Sequence, residues 1–367
     1  METIRLASFL PPSAPFTSLQ PTTIPLPTPK DHEILIRVTH VSIQQVDLLY
    51  ARGQHQNNNP RKGHIHPPFT LGLDFSGIVI STPSSRSSST TTSNPKSPQT
   101  KPPIISNLHH SPSFSPGDRI FGSHPSAFST FLSLPPAALH HIPHTISPRV
   151  AAALVSGVVS YTAARVLSQI TATHTVLVTG VPGNLALIAA QIASSLGAKV
   201  ICLARSEERA EAVRDISPGV TVLSGEGDWV GRIKAVTGGR GVDVILDHVG
   251  VVREGLGCLA FGGTVVLVGF AGRAGEMEEV GMNRILLNGA RVVGYRFGEG
   301  GRRGMFDVQE CWRGYLGMVE RGEVRAIVDG RRYVGFKDVG RAMEDLDKGR
   351  LVGKAVVEVG GGVDAKL

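Results

Sequence analysis

The chain has 367 residues, a formal charge of +7, 41% hydrophobic residues and only three cysteines, Cys202, Cys258 and Cys311. Their odd, scattered placement excludes a disulfide framework or a C-x-x-C metal motif. No apolar run reaches the roughly 18 residues of a membrane span, and the arginines crowded at 291–303 and 321–332 lack the aromatic interleaving of a nucleic-acid surface.

The length suits two domains, each with a full core. The N-terminus, METIRLASFLPPSAP, has no signal-peptide h-region, so a reduced, cytoplasmic setting is expected. The first part reads as β-rich, with strands over 33–38 and 75–80 and a turn at Pro116-Gly117-Asp118-Arg119 leading into Ile120-Phe121. The stretch 81–115 is rich in Ser, Thr, Pro and Asn. Its few apolar residues cannot offset its ordering entropy, so a disordered surface insertion is expected there.

From about Arg149 the pattern becomes α/β. The segment 175–206, TVLVTGVPGNLALIAAQIASSLGAKVICLARS, reads as strand, Gly-containing turn, helix and second strand. Val176, Leu177 and Val178 form a doubly buried strand. Leu185, Ile188, Ala189, Ile192, Ala193 and Leu196 lay one apolar stripe on a helix. This is the first unit of a dinucleotide-binding sheet. Its pyrophosphate site is the helix N-terminus, formed by Gly180, Pro182, Gly183, Asn184 and Leu185. The spacing is G-x-x-G-x-x-A, with Ala186 in the last small position, where G-x-G-x-x-G is usual.

The second strand decides between cofactors. An NAD site places an acid there for the ribose 2′-hydroxyl. Here the strand ends Leu203-Ala204-Arg205-Ser206, with Arg209 one turn further on, a set suited to a 2′-phosphate. NADPH is the expected cofactor.

Strands at 175–179, 199–203, 220–223, 242–246, 264–268 and 291–295 complete a doubly wound parallel sheet. After about Gly298 the chain is expected to return to the first domain, with a helix over 337–348 and a closing strand at 353–357. The nucleotide domain (149–298) is then nested in a discontinuous catalytic domain (1–148 and 299–367).

This order of segments resembles the medium-chain dehydrogenase/reductase superfamily, in its zinc-free quinone oxidoreductase and enoyl reductase branch. The carriers are VSIQQVDLLYARG (41–53), PFTLGLDFSGIV (68–79), FSPGDRIFG (114–122), VLVTGVPGNLALIAAQIASSLGAKV (176–200), GVDVILDHVG (241–250), GGTVVLVGF (262–270) and GRLVGKAVVEV (349–359). The resemblance implies a GroES-like catalytic domain beside the Rossmann sheet. It extends to stand-alone enoyl reductases of fungal polyketide pathways, and so admits a polyketide synthase as partner.

The superfamily's alcohol dehydrogenases hold a catalytic zinc. Where they have a cysteine this chain has Gln44, ahead of Asp47, and where they have Gly-His-Glu it has Gly72-Leu73-Asp74. Leucine cannot ligate a metal and glutamine is a poor zinc ligand, so no metal is expected. The histidines at 64/66, 109/110 and 140/141/144 lack metal-helix spacing and read as solvated loop residues.

By the same resemblance Val249, Gly269 and Phe270, with Asp247-His248-Val249-Gly250, border the nicotinamide in the cleft between domains. Hydride would go to an enone β-carbon or to a quinone, and the proton donor is Tyr50, His55, Tyr161 or solvent. Asp47 and Asp74 read as structural groups. A catalytically idle NADP(H)-binding sensor or scaffold is the alternative. The edge strand at 291–295 permits a homodimer beside the monomer.

Overall fold

The computed structural model describes residues 1–61, 63–83, 113–217, 219–272 and 278–360. Of the expected insertion at 81–115, residues 84–112 lie outside the described residues.

The catalytic domain is built on strand β1 (Ile34–Ser42), in which Ile34, Ile36 and Val38 face the core at the strand period of two. Helix α1 (Gln45–Arg52) follows at once. A capping box between Gln44 and Asp47 starts it, and Gly53 at φ 69° stops it. Next come β2 (Asp74–Ser81), β3 (Arg119–Ser123), β4 (Phe131–Leu134) and β5 (Leu139–His141). Helices α2 (Pro148–Leu154) and α3 (Gly157–Tyr161) then lead across to the second domain.

The nucleotide domain runs β6 (Thr175–Val181), α4 (Asn184–Ser195), β7 (Lys199–Ala204), α5 (Glu207–Ile216), β8 (Thr221–Ser224), α6 (Trp229–Val236), β9 (Val242–Asp247), β10 (Leu259–Leu267), α7 (Met282–Leu287) and β11 (Arg291–Gly294). Its six strands are ordered β8-β7-β6-β9-β10-β11, with every pairing parallel. Alternate residues supply two cores: Val176, Val178, Val244 and Leu246 face α2, α3 and α4, and Leu177, Ile201, Ile245 and Val265 face α6. The order reverses between β6 and β9, where an open α/β sheet forms its binding crevice.

Beyond Gly298, helix α8 (Val308–Glu320) packs through Cys311, Trp312, Tyr315 and Met318 on a core that draws residues from both domains, Phe121, Ile142 and Val356 among them. Only β12 (Tyr333–Val334), α9 (Val339–Asp347) and β13 (Val356–Glu358) rejoin the catalytic sheet, whose order is β12-β13-β1-β2-β3-β5 with β4 also on β1. Among the described residues no single helix is long and apolar enough to cross a membrane.

Candidate functional site

The Gly-rich turn lies at the carboxyl end of β6. Gly180 has φ 87°, a conformation reserved for glycine, and a Cβ there would meet Val249 at 3.0 Å and His248 at 3.1 Å. The turn is closed by the Gly183 N–H donating to the Gly180 carbonyl (2.9 Å) and is held from the catalytic domain by the Gly353 N–H donating to the Pro182 carbonyl (2.7 Å). The first N–H groups of α4, at Asn184 and Leu185, have no partner within the helix and suit an anion. The Asn184 side chain is not available to a ligand. Its amide donates to Ala153 O (2.8 Å) and its oxygen accepts from the Ile327 N–H (3.2 Å), so its role is to join hinge, helix and returning chain. Leu185 likewise offers only its N–H, since its carbonyl accepts from Ser160 (2.8 Å).

At the end of β7, Arg205 is exposed, while Ser206, the N-cap of α5, and Arg209 are half-buried. Among the described residues neither Arg205 nor Arg209 forms an ion pair. Burial, and after it the Arg205 charge, makes the Arg209 guanidinium less basic than usual. Glu208 offsets part of the Arg209 charge, and Arg209 Nη2 donates to Leu351 O (2.9 Å); the two adjacent cations still suit an anion.

The end of β9 is ordered by Asp247. This fully buried carboxylate accepts from Thr179 Oγ1 (2.8 Å) and from the N–H groups of Val249 (3.1 Å), Gly250 (3.1 Å) and Val251 (2.9 Å). Gly269 is tied to the same strand end, its N–H donating to the Asp247 carbonyl (3.2 Å), and Phe270 beyond it is 49% exposed. His248, expected only to border the nicotinamide, is buried. Burial lowers it to about 4, and its Nε2 has no partner in the structure.

Tyr50 and His55 come together. Their rings lie 4.3 Å apart at 31°. Asn57 orients both: its side-chain amide donates to the Tyr50 hydroxyl oxygen (2.9 Å) and its backbone N–H to His55 Nδ1 (3.1 Å). With Nδ1 accepting, neutral His55 carries its proton on Nε2. Burial, then the Arg296 and His64 charges, lower His55 to about 4, and burial raises Tyr50. Both therefore hold a donor proton at neutral pH.

Arg296, in the nucleotide domain, is close enough for its charge to act on both rings. The sequence reading missed both Asn57 and Arg296. Asn57 lies in an irregular Asn-rich stretch, and Arg296 is one arginine in a crowded run. Tyr161 does not join this group. A Cβ on Gly314 of α8 would fall 2.1 Å from its hydroxyl, so the ring is packed on that helix.

Behind α1 lies a buried charged cluster. Lys354 Nζ is 3.6 Å from Asp74 Oδ2 and 3.4 Å from Ser156 Oγ, and both charged side chains are almost fully buried. Desolvation raises Asp47 to about 7 and also raises Asp74, against the pull of the Lys354 charge. This is where the zinc ligands would stand. Gln44, Leu73 and a buried ammonium do not fit a zinc ion. His140 is not a solvated loop residue: its ring lies 4.0 Å from Trp312 and 5.6 Å from Phe121, in a seam between the domains.

The sequence matches two family models, "Alcohol dehydrogenase GroES-like domain" over residues 30–94 and "Zinc-binding dehydrogenase" over 185–320. It is 31% identical over 275 residues to quinone oxidoreductase-like protein 2 of Bos taurus, covering 73% of this chain and 68% of that protein. It is 26% identical over 256 residues to the quinone oxidoreductase of Homo sapiens, covering 68% of each. The fold matches that of the Escherichia coli quinone oxidoreductase complexed with NADPH, with TM-score 0.77, 22% identity, and 98% of this chain and 100% of that chain covered. The nested domains, the parallel sheet and these matches agree: the chain belongs to the quinone oxidoreductase branch of the medium-chain dehydrogenase/reductase superfamily.

Proposed function

We propose that this protein is a zinc-independent, NADPH-dependent reductase of activated C=C bonds or quinones. The observation that carries the reading is the pair of donors set by Asn57, Tyr50 O–H and His55 Nε2–H, within reach of the Arg296 charge from the other domain.

The cofactor would be held by the N–H groups of Asn184 and Leu185 at its pyrophosphate, by Arg205, Ser206 and Arg209 at the 2′-phosphate, and by Val249 and Gly269 at the nicotinamide end. When bound it supplies hydride. The protein's part is to stabilise the oxygen that becomes negative as an enone turns into an enolate, or a quinone into a hydroquinone anion. Tyr50 and His55 donate hydrogen bonds to that oxygen and Arg296 adds a positive field. His55, neutral down to about pH 4, acts as a hydrogen-bond donor, not as an acid. The proton that completes reduction comes through Tyr50 or from solvent. NADPH, and not NADH, is supported by the end of β7, which carries no acid before Glu207, and by the two adjacent arginines there, neither in an ion pair among the described residues.

The test is fluorescence titration with NADPH and NADH, for the protein and for Arg205→Ala, followed by turnover on enones, an enoyl thioester and quinones. Tight NADPH binding, weakened about 10-fold or more by Arg205→Ala, with turnover of at least one class, supports the reading. Binding of neither nucleotide overturns it. Activity on the enoyl thioester would point to a polyketide synthase as partner.

A further inference from the structure

The donor pair does not stand alone. Four rings follow one another across the catalytic domain: His55 to Tyr50 at 4.3 Å between centroids, Tyr50 to Phe69 at 6.4 Å and Phe69 to Phe9 at 6.2 Å. The last two contacts are inclined at 69° and 59°, close to the edge-to-face geometry that aromatic quadrupoles favour.

Two separate parts of the chain come to α1 to build this row. Phe69 is carried by a two-residue ladder, Phe69–Thr70 antiparallel to Arg5–Leu6. Phe9 is carried by the N-terminal segment, which is fastened to the end of α1. There the Leu10 N–H donates to Ala51 O (2.8 Å), and the Arg52 guanidinium donates to Pro11 O (2.6 Å) and Ala14 O (3.1 Å). Gly53 caps the helix and also admits the Phe9 ring, since a Cβ at 53 would lie 2.8 Å from two of its atoms. Core packing explains the inner faces of Tyr50 and Phe69, which lie against the catalytic core. It does not explain why all four rings stay only half-buried, in one row with the two donors.

An open row of aromatic rings that begins at two donors for a carbonyl oxygen is a surface for a flat apolar molecule. We propose that Phe69 and Phe9 extend the substrate site, and that the substrate's apolar body lies along them when its oxygen reaches Tyr50 and His55. The protein therefore selects enones and quinones that carry an aryl group beside the carbonyl over their small parents. The inference rests on the reductase reading above and adds which substrates that site prefers.

Steady-state kinetics with two matched pairs tests it: methyl vinyl ketone against phenyl vinyl ketone, and benzoquinone against phenylbenzoquinone. Each pair shares its reacting group and differs in one phenyl ring. The native protein should favour the phenyl member of each pair in kcat/KM. Phe69→Leu, which keeps apolar bulk without the ring, and Phe9→Ala should each lower that preference by roughly 3- to 30-fold, chiefly through KM. A packing role alone would lower kcat/KM for both members alike, and the melting temperatures of the variants report on the fold. An unchanged preference in both variants, or no preference in the native protein, overturns the inference and leaves the reductase reading standing. Turnover of none of the four compounds overturns that reading too.

Discussion

Asn57 donates to the Tyr50 hydroxyl oxygen at 2.9 Å through its side-chain amide, leaving the phenol's own proton free to donate outward. Its backbone N–H fixes the neighbouring His55 tautomer at the same time. If these two donors serve an oxyanion, Tyr50→Phe and Asn57→Ala should each lower kcat by about 10- to 1000-fold, with smaller changes in KM. Tyr161→Phe should keep near-native kcat, because that hydroxyl sits over Gly314. Steady-state kinetics of the three variants checks this, and equal losses in all three would sink the assignment.

Asp47 predicts an unusual pH dependence. Its folded value, about 7, lies above the ordinary 3.8. A raised value means that the folded state binds the proton more tightly, so its contribution to stability is present in acid and is lost as pH rises through about 7. Asp47→Asn, which mimics the protonated form, should therefore gain on the native protein as pH rises from about 4 to 7, and hold its advantage above that. Urea denaturation across this range measures it. A constant difference would refute the assignment.

The histidines act with the opposite sign. His55, His140 and His248 are each lowered to about 4 from 6.5, first of all by burial. They favour the folded state fully above pH 6.5, and that support is withdrawn as pH falls towards 4. His140→Phe, which keeps an aromatic ring against Trp312, should reduce the loss of stability between pH 6.5 and 4. Thermal melts at several pH values test it.

Lys354 is the buried counter-charge to Asp74. Lys354→Met keeps the length of the side chain but leaves Asp74 and Asp47 buried without a cation. The expected cost is about 3–5 kcal/mol. The double variant Lys354→Met with Asp74→Asn should recover much of it. A single variant as stable as the native chain would show that the ion pair contributes nothing.

We propose that the exposed edge strand β11 pairs with a second copy of the chain. Phe261, Met282, Leu286 and Leu287 on neighbouring segments are 85%, 76%, 79% and 72% exposed. Arg302 and Arg303, which would repel a partner, are each paired with Glu299 at 2.6 Å. Sedimentation at micromolar concentration should find a dimer, and Leu286→Lys should weaken it. A native monomer would refute the pairing.

The nucleotide domain was legible because its elements are local. The strands are short apolar runs, α4 carries an apolar stripe at the helical period, and all six strands fall within a few residues of their expected places. The pyrophosphate turn and the cationic end of β7 could be read for the same reason, since the residues concerned are consecutive. The sequence misassigned what depends on burial and on long-range packing. The Asn184 side chain has a role no local pattern shows: it is bonded to Ala153 and Ile327, leaving its N–H as the group an anion could use. His140 looks like a loop residue until Trp312 is seen against its ring.

Sequence alone determined the fold, the absence of zinc ligands and the sign of charge at the end of β7, because side-chain period and residue chemistry are properties of short segments. Tertiary structure decided that Asn57 sets Tyr50 and His55 through an irregular local turn, that the Arg296 charge reaches them from the other domain, and that Lys354 is buried against Asp74. The last two join residues far apart in the chain, and whether they meet depends on how the chain's separate segments pack together.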